Sequence, residues 1–170
     1  MRLYIKQKVL SLKQKYDITD EFENPHYHIE SKLISLGRQL TIWDMDGNEK
    51  AFVKQKLVSL LPRYVVEIGG TEVAQICKKF SLLKPKYEIE GIGWKIEGDY
   101  LSHDYSITEN GRIIASIHKK WLSWGDAFEL DIDDNADEVM ALAVILAIDA
   151  VMDAKSDTHW LEKQIMFDKN

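Results

Sequence analysis

The stretch DEVMALAVILAIDAVMDA, from Asp137 to Ala154, decides the fold of this 170-residue chain. Between Val139 and Ile148 it contains no polar side chain, so a helix formed here would be apolar on every face. A membrane-spanning helix needs about 20 apolar residues, and this run is shorter and is interrupted by Asp149. We therefore expect a helix over about residues 136–154, buried inside a protein core.

The composition is that of a globular protein, with 45% hydrophobic and 29% charged residues. A net charge of -6 and a pI near 5.4 argue against a general attraction to nucleic acid, and no nucleic-acid partner is expected. The single cysteine, Cys77, cannot form an intramolecular disulfide, and we expect it half-buried on a strand. The amino-terminal region lacks the features of a secretory signal. These observations predict a cytoplasmic protein, or one bound peripherally at a membrane.

A repeated unit runs through the chain around this helix. Five stretches align without gaps, and a sixth is a degenerate copy of the same length: YIKQKVLSLKQKYDI (4–18), HIESKLISLGRQLTI (28–42), FVKQKLVSLLPRYVV (52–66), QICKKFSLLKPKYEI (75–89), SIHKKWLSWGDAFEL (116–130) and the degenerate GIGWKIEGDYLSHDYSI (91–107). Within a unit, the alternation of Ala74 and Ile76 with polar neighbours is typical of half-buried strands. Each unit is therefore predicted to form two short strands joined by a bend.

The segments between units predict how these strands are connected. Asp46-Gly47, Gly69-Gly70 and Asn110-Gly111 lie there and favour tight hairpin turns. Six units predict a mainly β fold of about twelve antiparallel strands, which closes into a barrel because open edges invite aggregation. Side chains alone cannot fill so wide a barrel, so we place the apolar helix along its axis. One domain is expected over residues 1–170.

Three segments also resemble a known family. They are LTIWDMDGNEKAFVKQKLVSLLPRY (40–64), WKIEGDYLSHDYSI (94–107), and KKWLSWGDAFEL (119–130) with the acidic stretch and apolar helix that follow. The chain resembles the LURP-one-related family of the tubby C-terminal-like superfamily over nearly its whole length, and is similar to its stand-alone bacterial members. The resemblance implies a twelve-stranded barrel closed around a central hydrophobic helix. Because tubby proteins bind phosphoinositides and phospholipid scramblases are relatives, it also implies lipid as a ligand class, without site residues that carry over.

Lysine recurs at the same position in five units, at Lys8, Lys32, Lys56, Lys79 and Lys120. On a barrel these lysines would form a band that could hold an anionic headgroup, each contributing about 1 kcal/mol near an anionic surface. The alternative is that outward lysines only provide solubility and discourage edge pairing. Basic residues at the bends beside Pro62 and Pro85 form a second cluster with the same two interpretations. The candidate ligand-binding residues are Lys54, Lys56, Arg63, Lys79, Lys84, Lys86 and Lys120.

The acidic segment before the helix is the candidate metal site. Asp131, Asp133 and Asp134 could offer oxygens to calcium, but the segment lacks the central glycine and final glutamate of an EF-hand loop. Helix capping and complementation of the helix dipole explain most of these carboxylates. No metal and no cofactor are therefore expected.

The remaining polar residues give no catalytic pattern. The sequence contains neither HExxH nor GxSxG, and adjacent residues such as His103 and Asp104 point to opposite faces of a strand. Asp149 is expected where the helix leaves the barrel, or else paired with donors inside it. We expect a non-catalytic module that recognises an anionic phospholipid headgroup or a phosphorylated ligand through Lys and Arg. The alternative is a protein-interaction or structural domain without a small ligand.

Overall fold

The computed structural model describes residues 1–6, 15–34, 37–123 and 125–167, with side chains described as far as residue 154. Within these residues it contains twelve strands, a short 3-10 turn at Tyr100–Ser102 and one α-helix. The elements are β1 (Arg2–Lys6), β2 (Lys15–Thr19), β3 (Pro25–Ile34), β4 (Gly37–Asp44), β5 (Glu49–Gln55), β6 (Arg63–Ile68), β7 (Thr71–Lys79), β8 (Lys86–Glu90), β9 (Trp94–Asp99), β10 (Asp104–Glu109), β11 (Arg112–Leu122), β12 (Gly125–Ile132) and α1 (Glu138–Phe167).

The strands form one antiparallel sheet in the order β8-β7-β6-β5-β4-β3-β2-β1-β12-β11-β10-β9. The sheet curls because the first strand pairs with the last, with Leu3 opposite Leu130 and Ile5 opposite Phe128. β8 and β9 are left at the two ends of the ladder, and we call the gap between them the seam. The predicted mainly β, twelve-stranded antiparallel barrel is confirmed, and it is nearly closed, with the seam as its interruption.

The predicted hairpin turns form where the sequence placed them. Asn110 and Gly111 both have positive φ, at 50° and 82°, and they connect the paired residues Glu109 and Arg112. Gly69 and Gly70 do the same between β6 and β7, with φ of 58° and 77°. Two consecutive positive φ values define the turn whose twist matches that of antiparallel strands.

The core of the barrel lies between the wall and α1. All eight residues from Ala141 to Ile148 are buried, and inward strand residues such as Ile42, Val53 and Val66 have no exposed surface. Asp137 caps the helix by accepting a hydrogen bond from the Met140 backbone N–H at 3.0 Å. The central placement expected from the apolar stretch is thus observed.

Two local expectations differ from the structure. The helix continues to Phe167 rather than ending near residue 154, because the segment that follows contains no glycine or proline to stop it. Cys77 is 1% exposed rather than half-buried, because Arg63 and Glu90 lie over the outer face of β7 at this point. Burial raises the pKa of its thiol to about 11.

The helix gives the barrel two distinguishable ends. At the lower end, α1 begins after β12, and the connections are residues 20–24, 45–48, 69–70, 91–93, 110–111 and 133–137. At the upper end, α1 leaves the barrel, and the described connections are residues 56–62, 80–85 and 100–103. The upper ends of β3 and β11 add Leu33, Ile34 and Trp121 to this side.

Candidate functional site at the upper end of the barrel

The two ends of the barrel carry different charges. The lower-end connections contain seven carboxylates, those of Asp20, Glu21, Glu23, Asp46, Asp133, Asp134 and Asp137, and neither lysine nor arginine. The described upper-end connections contain Lys56 and Lys84 and no carboxylate. The acidity of the chain is therefore unevenly distributed, and the upper end can approach an anionic partner.

The upper end also exposes large apolar side chains. Val58, Leu82 and Leu83 are 93%, 88% and 96% exposed, and Phe80 is 79% exposed. Among the residues that the structure describes, the exposed apolar side chains at this end are Leu33, Ile34, Leu57, Val58, Leu60, Phe80, Leu82, Leu83, Leu101 and Trp121. Scattered apolar residues are normal on a surface, but a group gathered at one end marks an interaction site.

The backbone explains why these side chains project. The connection 56–62 is held by a hydrogen bond from the Lys56 N–H to the Arg63 carbonyl, at 2.9 Å. The Lys78 N–H reaches the Pro62 carbonyl at the same distance and ties this connection to β7. Because the connections extend past the strand ends, their leucines cannot reach the interior that α1 fills.

Most of the candidate cations lie on the wall and are engaged by carboxylates of neighbouring strands. Lys54 Nζ lies 2.5 Å from Glu67 and Lys120 Nζ lies 3.4 Å from Glu129. An ion pair between two exposed groups contributes at most about 1 kcal/mol. Glu67 and Glu129 are only 20% and 12% exposed, so these two lysines are exchanged to another anion less easily than lysines in fully exposed pairs.

Three of the candidates come together on the outside of β6, β7 and β8. Arg63 and Lys79 share Glu90, at 3.0 and 2.7 Å, and Lys79 and Lys86 share Glu88, at 3.4 and 3.1 Å. The hydrogen bond from Lys79 lowers the pKa of Glu90 below its ordinary value. This group is therefore a network of positively and negatively charged side chains.

The lysine band is distributed around the wall. Lys32, Lys56 and Lys79 lie on or just after alternate strands, and strand spacing of about 4.8 Å separates such positions by roughly 10 Å. Lys120 lies on β11, and Lys8 is outside the described residues. Of the seven candidates, Lys56 and Lys84 are the two within the upper-end connections.

The candidate metal-binding carboxylates have other partners. Asp131 pairs with Arg2 at 3.1 Å, Asp134 with the Met1 amino group at 2.7 Å, and Asp133 accepts the Asn135 backbone N–H at 2.8 Å. Among the residues that the structure describes, no group of three or more His, Cys, Asp or Glu side chains could hold a metal ion.

Sequence reasoning missed the partners of Asp149. This carboxylate lies where α1 leaves the barrel, and its Oδ1 is 3.1 Å from His103 Nε2. One helical turn later, Asp153 pairs with Arg38 at 3.3 Å. Asp104 instead meets His118 at 2.6 Å, so His103 and Asp104 do not form a pair. His103 lies in the turn before β10 with positive φ, and not on the strand as expected. No local pattern could have revealed contacts between residues so far apart in sequence.

Comparisons with known proteins agree with this architecture. Within the described part of the chain, no helix is both long and apolar enough to cross a bilayer. The model of the LURP-one-related family matches residues 1–149. YxjI of Bacillus subtilis (strain 168), an uncharacterized protein, is 37% identical over 152 residues, covering 89% of this chain and 94% of its own. The X-ray structure of a protein from Arabidopsis thaliana has the same fold, with a TM-score of 0.65 at 16% identity, covering 88% of this chain and 90% of the other.

Proposed function

The chain belongs to the LURP-one-related family, and we propose that it is a non-catalytic binding module that docks on anionic phospholipid surfaces with the upper end of its barrel. The observation that supports this proposal most strongly is the group of exposed apolar side chains on connections that carry lysine and no carboxylate.

Apolar insertion would supply the first part of the binding energy. A leucine-sized side chain gains about 1.5–3 kcal/mol when it moves fully from water to an apolar environment. Val58, Leu60, Leu82 and Leu83 are almost completely exposed, so each has most of this gain available. Partial insertion into the headgroup region realises only part of it, which suits reversible attachment.

Positively charged side chains would supply the second part of the binding energy, together with the selectivity for anionic lipid. Lys56 and Lys84 lie between the inserting side chains, and a lysine near an anionic surface contributes about 1 kcal/mol. Arg63, Lys79 and Lys86, with Lys54 and Lys120 elsewhere on the wall, would face headgroups once their cross-strand carboxylates are exchanged for phosphate.

The overall charge of -6 does not oppose this orientation. At about 1.5 Å per helical residue, the segment from Glu138 to Asp153 spans roughly 24 Å between the two ends. The Debye length under physiological conditions is about 8 Å, so the carboxylates of the lower end are screened from a membrane at the upper end.

Co-sedimentation with vesicles tests the proposal. The parent protein should pellet with phosphatidylcholine vesicles containing phosphatidylglycerol, bind less without it, and dissociate as salt is raised. Leu82→Asp with Leu83→Asp should abolish most of the binding, whereas Phe22→Asp with Met45→Asp, at two exposed apolar residues of the lower end, should not. Absence of binding to anionic vesicles at low salt, or equal loss in both variants, would overturn the proposal and favour a protein contact.

A second comparison of variants tests the contribution of the upper-end lysines to vesicle binding. Lys56→Glu with Lys84→Glu should weaken binding to anionic vesicles by roughly thirtyfold, from the loss of two contributions of about 1 kcal/mol. Lys50→Glu with Arg112→Glu, on β5 and β11 near the lower end, changes the net charge by the same amount and should leave the affinity unchanged. An identical effect of the two variants would show that net charge alone controls binding.

A further inference from the structure

The seam between β8 and β9 encloses a cleft in the barrel wall. The two strands are the ends of the sheet order and share no ladder, although both are fully described. Residues 91–93 connect them at the lower end, and the Tyr100 hydroxyl donates a hydrogen bond to the Pro85 carbonyl at the upper end. A cleft of about 460 Å³ remains between these two closures. This volume lies within the roughly 300–1,000 Å³ range of small-molecule sites.

The lining combines an apolar interior with a charged mouth. Inward-facing side chains of the two strands supply the interior, which consists of Tyr87, Ile89, Trp94 and Ile96. Outward-facing Lys86, Glu88 and Lys95 supply the mouth. Glu88 is already bound by Lys79 and Lys86, whereas Lys95 is exposed and forms no ion pair with another described residue. The mouth therefore favours a negative group.

Tyr87 is the unusual residue of this lining. Its side chain is 4% exposed, and its hydroxyl has no hydrogen-bond partner among the described residues. The ring meets Tyr100 edge to face at 5.4 Å, so it is held by packing. The neighbouring Trp94 indole N–H does have a partner, Glu109 at 3.3 Å. Buried polar groups are almost always paired, so an orphaned hydroxyl at a cleft indicates a missing acceptor.

An added peptide strand does not fit the seam. Strand addition needs an edge along which a chain can enter and leave. Here the connection 91–93 blocks one end and the contact between Tyr100 and Pro85 blocks the other. The seam is therefore closed at both ends, unlike an open sheet edge, and a ligand bound in it must be small.

We propose that the seam binds a single-chain anionic amphiphile of the fatty-acid class. Its hydrocarbon chain would lie on Ile89, Trp94 and Ile96, and its carboxylate would lie where the interior meets the mouth. One carboxylate oxygen would accept the hydrogen bond of the Tyr87 hydroxyl, and the other would face Lys86 and Lys95. This site is separate from the upper-end connections, so it does not depend on vesicle binding.

Calorimetric titration with monomeric laurate tests the site, with dodecyltrimethylammonium as a probe of equal chain length and opposite charge. Laurate should bind saturably at one site, and the cationic amphiphile at least about tenfold more weakly. Tyr87→Phe should weaken laurate binding about tenfold and melt no lower than the parent, because the hydroxyl is unpaired in the free protein. Lys95→Glu should weaken binding, whereas Lys50→Glu should not.

The proposal would be overturned by no saturable binding of laurate, by equal binding of the two amphiphiles, or by unchanged affinity in Tyr87→Phe. The upper-end variant Leu82→Asp with Leu83→Asp separates this site from the membrane surface. It should retain laurate affinity while losing vesicles, and Tyr87→Phe should show the reverse. Loss of laurate in the upper-end variant would place the amphiphile there and not in the seam.

Discussion

Ala143 lies in the middle of α1 and exposes none of its side chain. Ala143→Asp would place a carboxylate without a partner inside the barrel, at a cost above about 4 kcal/mol, which is a large part of the stability of a typical domain. We expect no cooperative thermal transition in this variant. Ser59→Asp adds the same charge at an exposed position in the connection between β5 and β6 and should melt like the parent. A normal transition for Ala143→Asp would contradict the central placement of α1.

The hydrogen bonds of Asp44 predict how the stability of the protein changes with pH. Its carboxylate accepts hydrogen bonds from the backbone N–H groups of Asp46 and Asn48, at 3.0 and 2.8 Å, and from the Asn48 side chain. The Asn48 side chain, with these N–H groups, lowers the pKa of Asp44 below its ordinary 3.8. Its contribution to stability is therefore complete above that value and is lost as the pH falls through the lowered one.

Asp44→Asn should accordingly melt below the parent at pH 7, and the difference should narrow as the pH falls below about 4. Asp46→Asn, in the same connection, is the control, since its side chain does not hold the turn in this way. Thermal melts across pH 2.5 to 7 measure both. If the difference in melting temperature between Asp44→Asn and the parent widened at low pH, the prediction would be contradicted.

At the scale of elements, the exit of α1 depends on a few long-range contacts. His103 binds Asp149, which is 15% exposed, and also stacks on Phe128 with ring centres 4.5 Å apart. Arg38 faces Asp153 one turn later, where burial and the nearby Asp149 raise the pKa of Asp153. These contacts fix the helix to β4 and to the connection between β9 and β10.

His103→Phe retains an aromatic ring for the stacking but removes the partner of Asp149. We expect the free energy of unfolding to fall by about 1–3 kcal/mol, the usual cost of leaving a buried polar group unpaired. In a double-mutant cycle with Asp149→Asn, the two changes should be non-additive by about 0.5 kcal/mol or more. Chemical denaturation measures the cycle, and strict additivity would mean that the two side chains are not coupled.

Local pattern explains how much of these elements could be predicted from the sequence. The alternation around Ala74 and Ile76, the turn at Asn110-Gly111 and the apolar run at Ala141–Ile148 are all signals within one element. The pairing of β1 with β12 and the seam between β8 and β9 depend on contacts between distant segments, which no local pattern contains. β9, which forms one edge of the seam, lies within the degenerate unit at residues 91–107.

For the molecule as a whole, the distribution of charge matters more than its sum. The composition shows only an acidic chain, whereas the fold separates the carboxylates of the lower-end connections from the lysines and leucines of the upper-end connections. The sequence identifies the lysine column as a candidate site, but it could not show that Lys79 and Lys120 of this column face carboxylates on adjacent strands. The exposure of Leu82 and Leu83 could not be predicted, because it depends on the tertiary fold and not on the local sequence.

The central claim is that the upper end, and not the lower end, contacts the membrane. Cys77 is buried and its thiol has a raised pKa, so an exposed cysteine can be labelled selectively. A polarity-sensitive fluorophore on Leu82→Cys should shift to the blue with anionic vesicles and be quenched by brominated lipid, whereas the same probe on Phe22→Cys should do neither. A response at Phe22→Cys alone, or at neither position while the protein pellets with the vesicles, would contradict the account.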